Sequence, residues 1–304
     1  MNPGYTSQRI PFLTILKWQL SKRFRVKEQS ISSLPVQHLD KLPDGEYALW
    51  LGHATLWLGL DNQRIAIDPV LGSIPLYKRH TTLPLPQEQL YADVILLTHA
   101  HYDHFDKPSV LRLLNNNPDT IIVAPAGFWR YLKRHIAREK CFELEWWESV
   151  MIGGLFITLT PSQHWSKRTP FDTNKALWGG YVIQNKEHCI YHSGDTAMGD
   201  HFEEIKEKFE VDEAFLPIGA YRPEAIMKHN HTNPSEARKA CELLGAKTLI
   251  PIHYGTFSLS DEPLDEPLEW FNALTSANTY PFETKILGIG EVYSLSKPPE
   301  GREN

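Results

Sequence analysis

Residues 98–104 read Thr-His-Ala-His-Tyr-Asp-His and follow directly on the apolar run Asp93 to Leu97. Three imidazoles (His99, His101, His104) and one carboxylate (Asp103) within six residues are the donor types that borderline divalent cations take, Zn²⁺ first, with Fe or Mn as alternatives. In an extended turn His99 and His101 project to the same side, while Asp103 and His104 reach a second position as the chain bends. Packing does not account for the cluster, because burying unpaired polar groups costs about 1–3 kcal/mol each. Chance placement of the chain's 14 histidines does not account for it either. Single donors of the same kind recur past later apolar runs: His164 after LFITLTPS, Asp195 after HCIYHSG and His253 after TLIPI. The expected site holds two ions, one on His99, His101 and His164 and the other on Asp103, His104 and His253, with Asp195 bridging. Water held between two such ions ionises near neutral pH and attacks an electrophile.

Those donors must be positioned by strands. From Tyr47 onward the chain alternates short apolar runs with turn residues: YALWLG, TLWLGL, RIAIDP, then 93–99, 120–125, 155–162, 179–184, 188–195, 213–219 and 248–253. Helical spacing separates several of them, at 107–116, 126–138, 201–209, 234–245 and 265–277, and Asn233-Pro234-Ser235-Glu236 reads as a helix cap with Pro in the first turn. In sheets flanked by helices, ligand sites gather beyond strand ends, so donors far apart in sequence can converge on one edge. The reading is a single α/β hydrolase body over residues 45–296, preceded by an amphipathic, basic segment over 1–44 and followed by a frayed tail over 297–304.

Composition narrows the rest. With 304 residues, 41% hydrophobic and 22% charged, the chain can bury a sizeable core. A net charge of -6 and no basic stripe exclude nucleic acid as the expected partner. Cys141, Cys189 and Cys241 are odd in number and widely spaced, which excludes a disulfide framework and a cysteine zinc ribbon and fits a reducing, cytoplasmic setting. No apolar run is long enough to span a bilayer. Within residues 10–27, Phe12, Leu13, Leu16, Leu20 and Phe24 fall near helical spacing beside Lys17, Lys22, Arg23, Arg25 and Lys27. That pattern suits either peripheral contact with the inner membrane surface or a solvated helix capping the domain.

HxHxDH with the later His, Asp and His resembles the metallo-β-lactamase superfamily. Within it the chain is similar to the N-acylphosphatidylethanolamine-hydrolysing phospholipase D group, from about Gly45 to Pro267. The segments carrying the closer likeness are Gly52-His53-Ala54-Thr55, Ile67-Asp68-Pro69-Val70, Ser162-Gln163-His164-Trp165, Ser193-Gly194-Asp195-Thr196, LPIGAY (216–221) and Ile252-His253-Tyr254-Gly255-Thr256-Phe257. The resemblance implies an αβ/βα sandwich of two mixed sheets flanked by helices and two Zn²⁺ per chain. The implied reaction is hydrolysis of a phospholipid or other phosphodiester, by hydroxide held between the metals, releasing N-acylethanolamine and phosphatidic acid. It also implies a place behind a ligand imidazole for Asp68, and places near the substrate for Tyr102 and His231, the latter against phosphate or the leaving oxygen. A lactonase, an amidase, a soluble phosphodiesterase and a non-catalytic metal sensor are the alternatives on such a scaffold. Trp146, Trp147 and Trp165 are candidates for an apolar acyl lining.

Overall fold

The computed structural model describes residues 5–7, 13, 14, 17, 18, 21, 34–277 and 279–295. Two seven-stranded mixed sheets face each other. The first runs in the order β14 (Val292–Ser294), β1 (Tyr47–Gly52), β2 (Thr55–Leu60), β3 (Gln63–Ile67), β4 (Val94–Leu96), β5 (Ile121–Pro125), β6 (Cys141–Leu144). The second runs β13 (Glu283–Thr284), β12 (Thr248–Ile252), β11 (Glu213–Pro217), β10 (Cys189–His192), β9 (Gly180–Gln184), β8 (Leu155–Thr160), β7 (Ser149–Ile152). Strands β3 to β6 are parallel, as are β10 to β13, so the C-terminal ends of β3, β4, β10 and β12 serve one rim.

Strand periodicity of two explains why β1 and β2 are buried on both faces. Ala48, Trp50, Leu56, Leu58 and Leu60 point between the sheets, where they join Ile157, Leu159, Tyr181, Ile190 and Phe215. Leu49, Leu51 and Trp57 point outward and are covered by Val110 and Leu113 of α1 (Lys107–Asn116) and by Phe128. On the far side, α3 (His201–Lys206) and α5 (Pro234–Leu244) cover the second sheet with Phe202, Ile205, Ala237, Cys241 and Leu244. Helix, sheet, sheet, helix is the αβ/βα sandwich the sequence motifs implied.

The cap expected at Asn233 is present: its side chain accepts the Ser235 and Glu236 N–H groups at 3.0 Å, and Gly245 closes the helix at φ 68°. The helix expected over 126–138 is reduced to α2 (Trp129–Leu132), because Gly127 at φ 86° turns the chain after β5 before a helix can start. Strands β6, β7, β13 and β14 escaped the sequence pattern, being short and partly exposed. The remaining helices are α4 (Glu224–Met227) and α6 (Glu266–Ala277). Among the described residues no helix is long and apolar enough to cross a membrane. The basic segment over 10–27 lies outside the described residues except at 13, 14, 17, 18 and 21, which are helical. There the Trp18 indole donates to Asp261 Oδ2 at 3.0 Å.

Candidate metal centre

All the candidate donors sit just past strand ends. His99, His101, Asp103 and His104 occupy the loop after β4, Asp68 follows β3, and His164, Asp195 and His253 follow β8, β10 and β12. Their backbones are fixed to the sheets rather than free: Asp68 N–H donates to Leu96 O at 2.9 Å, and His253 N–H donates to His53 O at 2.9 Å.

Two pockets result. In the first, His99, His101 and His164 bring ring nitrogens together, with His99 Nε2 and His164 Nε2 at 2.8 and 3.3 Å from His101 Nδ1. Two of the three outer ring nitrogens are tied down, His164 Nδ1 to Asn230 O at 2.9 Å and His99 Nδ1 beside Thr98 Oγ1 at 3.0 Å. In the second, Asp103, His104 and His253 converge, joined by His53. Asp195 lies between the pockets. Its Oδ1 is 3.1 Å from His104 Nε2 and 3.0 Å from His253 Nε2, while its Oδ2 is 3.9 and 3.8 Å from the Nε2 atoms of His99 and His164.

The donor geometry fits divalent ions. Imidazoles sharing a tetrahedral ion at ~2.0–2.1 Å hold their ring centres roughly 5 Å apart. The three rings of the first pocket are separated by 4.5, 4.8 and 5.2 Å, and His104 and His253 by 5.4 Å. His104 Nε2, His253 Nε2 and Asp195 Oδ1 are buried and crowd together, the oxygen 3.1 and 3.0 Å from the two nitrogens, a convergence of donor atoms that a divalent cation would satisfy.

Protonation of the donors follows charge against burial. Burial pushes His99 and His164 well below the ordinary imidazole range and His101 down to about 4, keeping them neutral and able to ligate. Burial acts the same way on His104, but the carboxylates of Asp195, Asp68 and Asp103 outweigh it and hold the group well above that range. His253 likewise rises against burial to about 9 beside Asp195 and Asp103. Asp103 and Asp195 stay ionised: burial opposes this, and the surrounding imidazoles, His104 first, overcome it.

The other predicted residues divide. Asp68 stands behind His104, its Oδ2 accepting His104 Nδ1–H at 2.6 Å and its Oδ1 the Thr98 N–H at 2.8 Å, so it orients the His104 ring and does not enter a pocket. His231 Nδ1 comes within 3.7 Å of Asp195 Oδ2, and its ring lies 5.3 Å from those of both His164 and His253, beside both pockets. Burial lowers it to about 4, leaving it neutral. Tyr102 is exposed at the rim, with the Arg168 guanidinium 3.8 Å over its ring. Trp165 packs edge-on to His101 at 4.5 Å, while Trp146 packs against Tyr5 and Trp178, away from the donors.

Two neighbours had no role in the sequence reading. His53 places Nε2 3.0 Å from Asp103 Oδ2, and its one signal was its place in the Gly-His turn of the Gly52–Thr55 segment. Arg168 carries no motif; its contacts with the Tyr102 ring and the Phe105 carbonyl exist only in the fold.

Residues 63–254 match the family model of the β-lactamase superfamily domain. The chain is 32% identical over 291 residues to N-acyl-phosphatidylethanolamine-hydrolyzing phospholipase D 1 of Caenorhabditis elegans, covering 87% of this chain and 81% of that protein. It is also 32% identical over 217 residues to a metal-dependent hydrolase of Exiguobacterium sp., covering 68% of this chain and 85% of the relative. Among solved structures, Igni18, a metallo hydrolase of Ignicoccus hospitalis, superposes with a TM-score of 0.64 at 23% identity, over 83% of this chain and 99% of the other.

Proposed function

The chain belongs to the metallo-β-lactamase superfamily, and from that premise we propose that it is a zinc-dependent phosphodiesterase cleaving an N-acylated phospholipid on its head-group side. The products are an N-acylethanolamine and a phosphatidic acid. The observation that carries the reading is the pair of donor pockets joined by Asp195, in a chain related along most of its length to the nematode phospholipase D. His99, His101 and His164 would hold one ion and Asp103, His104 and His253 the other, with Asp195 shared. When bound, such ions act as Lewis acids and lower the pKa of water.

The chain's own residues supply the rest. Asp68 keeps His104 in the tautomer that presents Nε2 inward. His231, neutral and beside both pockets, hydrogen-bonds a phosphoryl oxygen or the departing oxygen. Tyr102 and Trp165 at the rim face the lipid, and residues 10–27 give peripheral contact with the inner membrane surface.

The test is metal content per chain together with hydrolysis of an N-acylphosphatidylethanolamine and a soluble bis-aryl phosphodiester, with and without chelator. About two zinc ions and chelator-sensitive lipid cleavage are expected. Bound metal without cleavage of either diester rejects the phosphodiesterase reading and moves the search to lactones and amides.

A further inference from the structure

The second pocket contains one imidazole more than its ligand set needs. His53 sits in the turn between β1 and β2, is buried, and aims Nε2 at Asp103 Oδ2 at 3.0 Å. Its backbone adopts φ 54°, a left-handed conformation that costs a non-glycine residue about 1–2 kcal/mol. Three hydrogen bonds hold it there. His53 N–H donates to Thr256 Oγ1 at 2.8 Å, and its carbonyl accepts both the Trp50 indole N–H at 2.8 Å and the His253 N–H at 2.9 Å. Next to it, Gly52 at φ 98° is closely packed: a Cβ there would meet Thr256 Oγ1 at 2.8 Å and the Arg79 guanidinium at 2.9 Å.

Ring spacing and the partners of each ring nitrogen together separate a ligand from a support. His53 and His253 have ring centres 3.9 Å apart, closer than the roughly 5 Å of two imidazoles on one tetrahedral ion. His104 stands 5.4 Å from both His253 and His53, so the spacing rules out only His53 and His253 together on one ion. Of the two, His253 turns Nε2 to the shared Asp195 Oδ1 at 3.0 Å, whereas His53 commits Nε2 to Asp103 Oδ2. An ionised carboxylate only accepts, so the Asp103 contact puts the proton of neutral His53 on Nε2. His53 thereby touches two of the three expected donors of the second pocket, Asp103 through its ring and His253 through both its carbonyl and its ring face. Asp68 holds the third, His104.

We infer that His53 is a positioning residue of the second pocket, fixing Asp103 by its imidazole and His253 by its main chain without ligating the metal. The inference rests on reading that pocket as a metal site.

Its test is calorimetric titration of metal-free wild type, His53→Gly, His53→Asn and His53→Gln with Zn²⁺, alongside the visible spectrum of each protein loaded with Co²⁺. Glycine accepts the left-handed backbone, so His53→Gly removes the ring while relieving strain, and thermal melting checks that it folds. Expected are first-ion affinity as in wild type, second-ion affinity down about 10–100-fold in the Gly and Asn variants, partial recovery with Gln, and a cobalt band of wild-type intensity once both ions are bound. Unchanged affinity for both ions in His53→Gly overturns the inference. So does a cobalt spectrum that registers a lost ligand, since His53 would then be a donor. A wild type that takes up no metal rejects the metal-site reading itself, a separate outcome.

Discussion

The first sheet delivers its share of the site through one loop, four donors within residues 99–104 beyond β4, whereas the second sheet sends His164, Asp195 and His253 singly from the ends of β8, β10 and β12. The supports differ as well. The loop donors lean on side chains, His104 on Asp68 and Asp103 on His53. The strand-end donors lean on main chain, His164 on the Asn230 carbonyl and His253 on the His53 carbonyl. A dense loop concentrates ligands but needs a second layer of polar groups to orient them, while a strand end inherits its orientation from the sheet.

The largest expected effect tests the joint between the halves. Asp195 lies against all four Nε2 atoms of His99, His164, His104 and His253. Asp195→Asn is therefore expected to lose both ions and at least about 10³-fold in hydrolysis, measured as metal per chain and turnover. His253→Ala is expected to lose one ion only, with activity. If Asp195→Asn also keeps one full-affinity ion, the two halves are not joined through this carboxylate.

Next in size is the support behind the loop. Asp68→Asn keeps the shape but removes the charge that His104 Nδ1–H meets at 2.6 Å. Zinc affinity of the second pocket is expected to fall about 10–100-fold, with the first pocket unaffected. Equal weakening of both pockets, read by titration, would erase the distinction between loop and strand-end donors. A smaller and purely kinetic effect is expected at His231. His231→Asn should retain both ions and lose about 10²-fold in turnover; a loss of metal instead would make His231 part of a pocket.

The same contrast explains what was legible beforehand. HAHYDH announces itself because its donors are adjacent, and His164, Asp195 and His253 became credible only as a set beyond apolar runs. Asp68 was readable by likeness of IDPV. His53 was not assigned a role, because its partners Asp103, Thr256 and His253 lie 50 or more residues away in sequence, and nothing in Gly-His-Ala-Thr distinguishes a support from a turn. The 126–138 segment read as a helix because its apolar residues recur suitably, but Gly127 and the short Trp129–Leu132 turn serve the packing of Phe128 and Leu132 under β5 instead. Strands β7 and β13 have too little buried periodicity to be read at all.

The smallest effect concerns the sheets themselves. Strands β4 and β5 carry no ionisable side chain, while β11 in the second sheet opens on Glu213, buried between Ile190 of β10 and Thr248 of β12. Burial, reinforced by Asp212 and opposed by Lys247, raises its carboxyl from 4.5 to about 7. A carboxyl whose folded pKa exceeds its unfolded one holds its proton more tightly in the folded state. The stability it carries is then complete below 4.5 and is lost as pH rises to about 7. Discounted for the solvent that still reaches the group, the loss is about 2 kcal/mol. Glu213→Gln keeps the neutral form at every pH, so the difference between wild-type and variant unfolding free energies, measured in urea from pH 5 to 8, should grow across that window in favour of the variant. A flat difference would mean that Glu213 ionises without cost and that β11 is as indifferent to pH as β4 and β5.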